Sequence, residues 1–196
     1  MNNAFSENIS NEDLAVLPAG VFTGGIAVVD TQESLMTACD YLLTQDMLGF
    51  DTETRPSFKA GNVNKVALVQ LSTADRCFLF RLCRTRLDKA LIKILENKHI
   101  VKVGADVGND LRAMQQLRRF RPDGFTDLQS IVAQWGIADK SVRKMAGIIL
   151  GVRISKAQRL SNWEASELTP AQQAYAATDA WSCLEMYRRL MATDKK

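Results

Sequence analysis

Two carboxylates separated by one residue, Asp51 and Glu53, close the apolar run Leu48-Gly49-Phe50. Alternate residues of a strand share a face, so both acids project to the same side. Neighbouring anions repel, and a divalent cation that prefers oxygen ligands, such as Mg²⁺ or Mn²⁺, resolves the repulsion. A strand end with solvated acids would carry the same two residues, so a site needs more ligands. Asp106, Asp110 and Asp127 follow the apolar stretch at 100–104, and Tyr175 and Asp179 stand four apart, on one face of a helix. Asp106 and Asp127 also suit turn and N-cap positions, and Asp110 suits the first turn of a helix. Spacing alone does not separate Asp110 from Asp106. Tyr175 and Asp179 fit a structural hydrogen bond as readily as a site.

The elements that must position these residues follow from periodicity. Short apolar runs predict strands at 25–29, 47–54, 65–72, 77–80 and 100–104. Helical spacing predicts helices at 31–45, with Thr31 as N-cap, and at 87–96 and 108–117. The strands from 47 to 80 have short connections and suggest an antiparallel meander, and strand–helix alternation then returns the chain to the sheet. Residues 55–64 carry the Pro, Gly and Asn of a loop. From Thr126 onward the pattern is helical, near 127–134, 142–150 and 170–191, the last with Thr169 as N-cap and Pro170 at its first position.

The chain of 196 residues is long enough for one domain with a sizeable core. No stretch is apolar enough to span a bilayer. The polar first twenty residues lack the basic start and apolar core of a signal peptide and suggest a loosely ordered lead-in over 1–20. Cys39, Cys77, Cys83 and Cys183 form no CxxC pair and sit in apolar-periodic segments, which fits reduced core thiols and a cytoplasmic location. The charge is uneven: residues 1–54 hold nine acids and no Lys or Arg, whereas the rest holds 25 bases against 13 acids. A basic body around an acidic strand end suggests a polyanionic partner over a cation-binding pocket, although solvated Lys and Arg faces give the same count.

Asp51-x-Glu53, Asp110 and Tyr175-x-x-x-Asp179, in this order, resemble the tyrosine-bearing DEDD 3′–5′ exonucleases, which include ribonuclease D and the proofreading domain of DNA polymerase I. The likeness runs from about residue 17 to the C-terminus and leans toward the branch that holds the Werner-syndrome exonuclease domain. It is carried also by Phe22-Thr23-Gly24, Lys65-Val66-Ala67-Leu68-x-Gln70-Leu71, Leu95-Glu96-Asn97-Lys98, Ser161-Asn162-Trp163 and Tyr175-Ala176-Ala177-Thr178-Asp179-Ala180. The family's gap between a Val-Gly pair and its third acid matches Val103-Gly104 and Asp110, which favours Asp110 over Asp106. The resemblance implies an exonuclease domain over 21–196 with an α/β, ribonuclease H-like fold, read here as a mixed five-stranded sheet flanked by helices. It also implies hydrolysis of phosphodiesters with two divalent cations, Mg²⁺ or Mn²⁺. Asp51, Glu53 and Asp179 would hold one ion, Asp51 would reach the second with support from Asp110, and Tyr175 would align the attacking water. A sister subgroup uses a histidine near the last acid. The single histidine here, His99, stands far from it in sequence and reads as a surface residue at a helix-to-strand turn.

Six bases lie between Asp139 and Arg159. The resemblance, in which the helical region after the third acid lies beside the substrate, implies Arg143, Lys144 and Arg159 as phosphate contacts, although a solvated helix face would carry the same residues. Lys65, after the loop that follows Glu53, is also expected near the strand's end. Backbone at Thr52 and Thr54 would grip the terminal nucleotide. Trp163 could stack on a base, although a lone Trp after a loop more often joins the core. The expected partner is DNA at its 3′ ends, releasing nucleoside 5′-monophosphates in a setting such as DNA repair. RNA is a second substrate class, and DNA is preferred because no accessory RNA-binding domain is evident. No organic cofactor and no membrane are expected. The competing class is a catalytically weak or inactive nucleic-acid-binding module, which predicts a lost metal ligand; none is lost. A metal-dependent phosphatase would leave the basic stretch and Tyr175 unexplained.

Overall fold

In the computed structural model, residues 5–55 and 65–196 are described. β-branched and aromatic runs form the strands β1 (Gly25–Val29), β2 (Met47–Thr54), β3 (Val66–Ser72), β4 (Arg76–Arg81) and β5 (Val101–Gly104). The helices α1 (Asn11–Val16), α2 (Gln32–Leu42), α3 (Leu82–Thr85), α4 (Lys89–Leu95) and α5 (Val107–Leu117) alternate with them. The short strand β6 (Phe125–Asp127) follows, then α6 (Leu128–Ile131), a 3₁₀ turn at Val132–Trp135, α7 (Val142–Leu150) and α8 (Pro170–Met191). The sheet order is β1-β4-β3-β2-β5-β6. β2, β3 and β4 form the expected antiparallel meander, whereas β1 joins β4, and β5 joins β2 and β6, in parallel.

Six strands replace the expected five. β6 spans only three residues, too few for alternation to show, and its place is set by parallel pairing with Lys102–Gly104. Within the 1–20 lead-in, the described residues 5–20 include the short helix α1. Ser10 caps α1 by accepting from the Asp13 N–H, and Leu14 and Phe5 are buried. One buried anchor per turn gives too weak a periodic signal to read. The reading of 55–64 as a loop falls, beyond Arg55, outside the described residues. Cys39, Cys77 and Cys183 are buried free thiols, but Cys83 is exposed. No helix among the described residues is long and apolar enough to cross a membrane.

Each face of the sheet is covered by helices. Leu48, Phe50, Val69, Leu71 and Phe80 pack with α2, α4 and α5 on one side. The other side meets α7 and α8 through Val103, Leu68 and Leu79. α8 starts sharply because Thr169 and Gln172 form a reciprocal capping box and Pro170 occupies the first turn. It then runs 22 residues across β2, β3, β4 and β5. Its sheet-facing side carries Ala176, Ala177 and Ala180, all fully buried.

Candidate active site

The register explains where the acids sit. β5 pairs with β2 only from Met47 to Gly49, so β2 outruns it and Asp51–Thr54 pair with β3 alone. The space beyond β5 is taken by the first turns of α5 on one side and by α8 on the other. Gly49 permits the close approach of α8: a Cβ there would lie 2.0 Å from the Ala180 carbonyl oxygen. One residue earlier on that helix, Asp179 is brought beside Asp51 and Glu53. Ligand oxygens of the three carboxylates all lie within 4.8 Å of one another.

Thr52, between the two acids, points to the opposite face. Its hydroxyl donates to Asp110 Oδ1 at 2.7 Å, which ties the first turn of α5 to β2. Asp110 stands outside the close trio, yet its charge acts on both Asp51 and Glu53. The rival acids are otherwise engaged. Asp106, exposed and in the left-handed region that Asp tolerates, accepts from the Asn109 side chain. Asp127 accepts from the N–H groups of Asp106, Val107 and Gln129 and caps α6, the structural role its position suggested.

Burial, then the charges of Asp179, Glu53 and Asp110, hold Asp51 well above the ordinary carboxylate range, opposed by the Thr52 N–H. Burial and the charges of Asp179 and Asp110 push Glu53 up to about 9. Burial raises Asp110 to about 7 against the Thr52 hydroxyl, and raises Asp179 to about 7 against the Tyr175 hydroxyl and the Lys156 ammonium. Burial and the carboxylates of Asp179 and Glu53 raise Tyr175 above the usual phenol range, so its hydroxyl stays protonated. The donor set is all hard oxygen and is unstable to full ionisation, which suits a divalent cation.

Asp51, Tyr175 and Asp179 line a cleft of about 200 Å³ together with Arg143, Lys156 and Arg159. None of these three bases is in an ion pair among the described residues. Lys156 was within the basic stretch but was not singled out by sequence, because only the fold turns that loop toward Asp179. Lys144 does not line the cleft: its Nζ is 3.0 Å from Asp139 Oδ1. Lys65 opens instead on a separate cavity of about 350 Å³ with Arg86 and Arg118. Thr54 is exposed at the end of β2. Trp163 has no exposed surface and packs against the Tyr175 ring at 6.0 Å between centroids, so the base-stacking role gives way to the core role. A ring without a free face has nothing to offer a base.

A mixed sheet carrying clustered carboxylates at the end of a central strand, in a cleft that also holds three bases, is suited to a divalent cation and a polyanionic ligand. A model of the 3′–5′ exonuclease family matches residues 26–193, and the chain belongs to that family. It is 32% identical over 157 residues to the mouse bifunctional 3′–5′ exonuclease/ATP-dependent helicase WRN, an alignment covering 74% of this chain and 11% of that protein. The chain likewise spans no more than 28% of the next two curated relatives. Among solved structures, the Aedes aegypti Nibbler EXO domain superposes with a TM-score of 0.76 at 23% identity, covering 85% of this chain and 87% of that one. Escherichia coli RNase D, an exoribonuclease involved in structured RNA processing, superposes with a TM-score of 0.76 at 24% identity, covering 86% and 44%. These likenesses establish the ribonuclease H-like fold.

Proposed function

We propose that the cleft is the hydrolytic centre of a divalent-cation-dependent 3′–5′ exonuclease that removes nucleoside 5′-monophosphates from the 3′ ends of DNA. The observation that carries this is the convergence of Asp51, Glu53 and Asp179 within 4.8 Å, in a cleft that Asp51 and Asp179 line together with Arg143, Lys156 and Arg159. Asp51, Glu53 and Asp179 would hold Mg²⁺ or Mn²⁺, with Asp110 supporting a second ion. Such cations, when bound, neutralise phosphate charge and acidify water. The chain's own residues do the rest. Arg143 and Arg159 bind the backbone phosphates, and Lys156 offsets negative charge beside Asp179. Thr52 holds Asp110 in place through its hydroxyl. Tyr175, kept protonated, orients the attacking water by hydrogen bonding rather than acting as a base.

DNA is the first reading because of the likeness to the exonuclease/helicase relative, and RNA the second because of the likeness to RNase D. The test is digestion of a 5′-labelled, 3′-recessed DNA duplex, with the matching RNA, in Mg²⁺ or Mn²⁺, by the wild type and Asp51→Ala. The expected result is a cation-dependent ladder of shortened DNA that disappears in the variant. A ladder on RNA alone reassigns the substrate. Binding without cleavage of either polymer overturns the catalytic reading in favour of an inactive binding module.

A further inference from the structure

Gln70 lies on β3 directly opposite Asp51 on β2. Directly opposed residues of an antiparallel pair share a face, with Cβ atoms about 4.5–5.5 Å apart. The Gln70 side chain is fully buried, and neither Nε2 nor Oε1 has a hydrogen-bond partner among the described residues. Its other cross-strand neighbour is Leu79, which packs with Leu68, Ala176 and Ala177 in the apolar cluster beneath α8. Ser72, two residues along the same face, already donates to the Thr73 carbonyl at 2.9 Å. A buried carboxamide without partners is destabilising, and native proteins seldom keep one without a use.

Asp51 presents the complementary need. It is hemmed in by Glu53, Asp110 and Asp179, and the donor acting on its carboxylate is the backbone N–H of Thr52. We propose that Gln70 is a positioning residue: its Nε2 donates to the Asp51 carboxylate and fixes the rotamer that presents Asp51 to a divalent cation. The terminal torsion of a glutamine is broad, so the amide can turn toward Asp51 without backbone movement. The cost of burying Gln70 is thereby linked to the cation site. This inference rests on the reading of the cleft as a cation site.

The test compares the wild type with Gln70→Met, an unbranched side chain of similar size, by cation-free thermal melting and by Mn²⁺ titration followed by electron paramagnetic resonance. The variant is expected to melt at or above the wild-type temperature yet bind Mn²⁺ about ten-fold or more weakly, as when a partner of a ligand is removed. Its kcat on DNA should fall with KM unchanged. Equal Mn²⁺ affinity in the two proteins overturns the proposal. A second readout needs no variant: in ¹⁵N spectra of the wild type, Mg²⁺ should shift the Gln70 side-chain NH₂ signals and slow their exchange. Signals unmoved at saturating Mg²⁺ overturn it as well. Wild type that binds no Mn²⁺ at all overturns the cation reading of the cleft itself, a result separate from failure at Gln70.

Discussion

Asp51 stands in the field of three other carboxylates, and the chain keeps them together at a cost in stability. Glu53, Asp110 and Asp179 are raised to about 9, 7 and 7, whereas free carboxylates titrate near 4. With folded values above unfolded ones, the folded protein holds protons that the unfolded chain has released. The associated stability is fully present below about pH 4 and is lost as pH rises through the folded values. In chelator, the melting temperature should therefore fall between pH 5 and pH 9. Mg²⁺ should reverse much of that fall at pH 8, because binding to the folded state alone is stabilising. Asp51→Asn should melt several degrees above the wild type in chelator at pH 8, where about 1 kcal/mol corresponds to roughly 2–4 °C for a domain of this size, and should lose the response to Mg²⁺. Scanning calorimetry across pH, with and without Mg²⁺, checks all three; a flat pH dependence in chelator would contradict the account. Asp51, Glu53 and Asp179 were singled out by the resemblance to the exonuclease motif, since spacing alone left solvated acids and a structural Tyr175–Asp179 pair open. The engagement of Asp106 by Asn109, and of Lys144 by Asp139, was not legible, because each depends on local geometry that residue types do not specify.

Between elements, the decisive contact is that of α8 with β2 at Gly49. Gly49→Ala would force the Ala180 backbone away and carry Asp179 with it, since the new Cβ would sit 2.0 Å from the Ala180 oxygen. Such overpacking is expected to destabilise by about 1–3 kcal/mol in urea unfolding. Cleavage should suffer more, on the order of 10²-fold, because a displacement of about 1 Å at reacting groups has that effect. Gly108→Ala is the control. Among the described residues its Cβ would meet only the Arg112 side chain at 3.5 Å, so stability should hold or rise. Equal effects of the two substitutions would show that helix approach is not what assembles the site. α8 itself was readable to the residue, because Thr169, Pro170 and the small Ala176, Ala177 and Ala180 are local signals. β6 and α1 were not. Three residues of strand and a six-residue helix with one buried leucine acquire their structure from Lys102–Gly104 and from the core, which no local pattern records.

For the whole molecule, charge separates along the chain and the fold brings the two parts together. All 25 Lys and Arg residues follow residue 54, whereas Asp51 and Glu53 close the acidic part. Folding gathers Arg143, Lys156 and Arg159 into the cleft lined by Asp51 and Asp179, so a polyanion drawn to the bases is delivered to the acids. Long-range attraction of this kind depends on salt, with the logarithm of the affinity falling linearly as counterions are released. Each phosphate contact on a single strand contributes about 0.7 to that slope. Arg143→Ala and Arg159→Ala should each weaken the binding of a 3′-tailed oligonucleotide in chelator and flatten the slope by roughly that amount. Lys144→Ala should leave the slope unchanged, because that ammonium already faces Asp139 at 3.0 Å and lies outside the cleft. Fluorescence anisotropy between about 50 and 200 mM salt separates the two cases. A slope that drops equally in all three variants would mean that the basic stretch acts as a diffuse field, and the cleft bases would lose their assignment as the phosphate track.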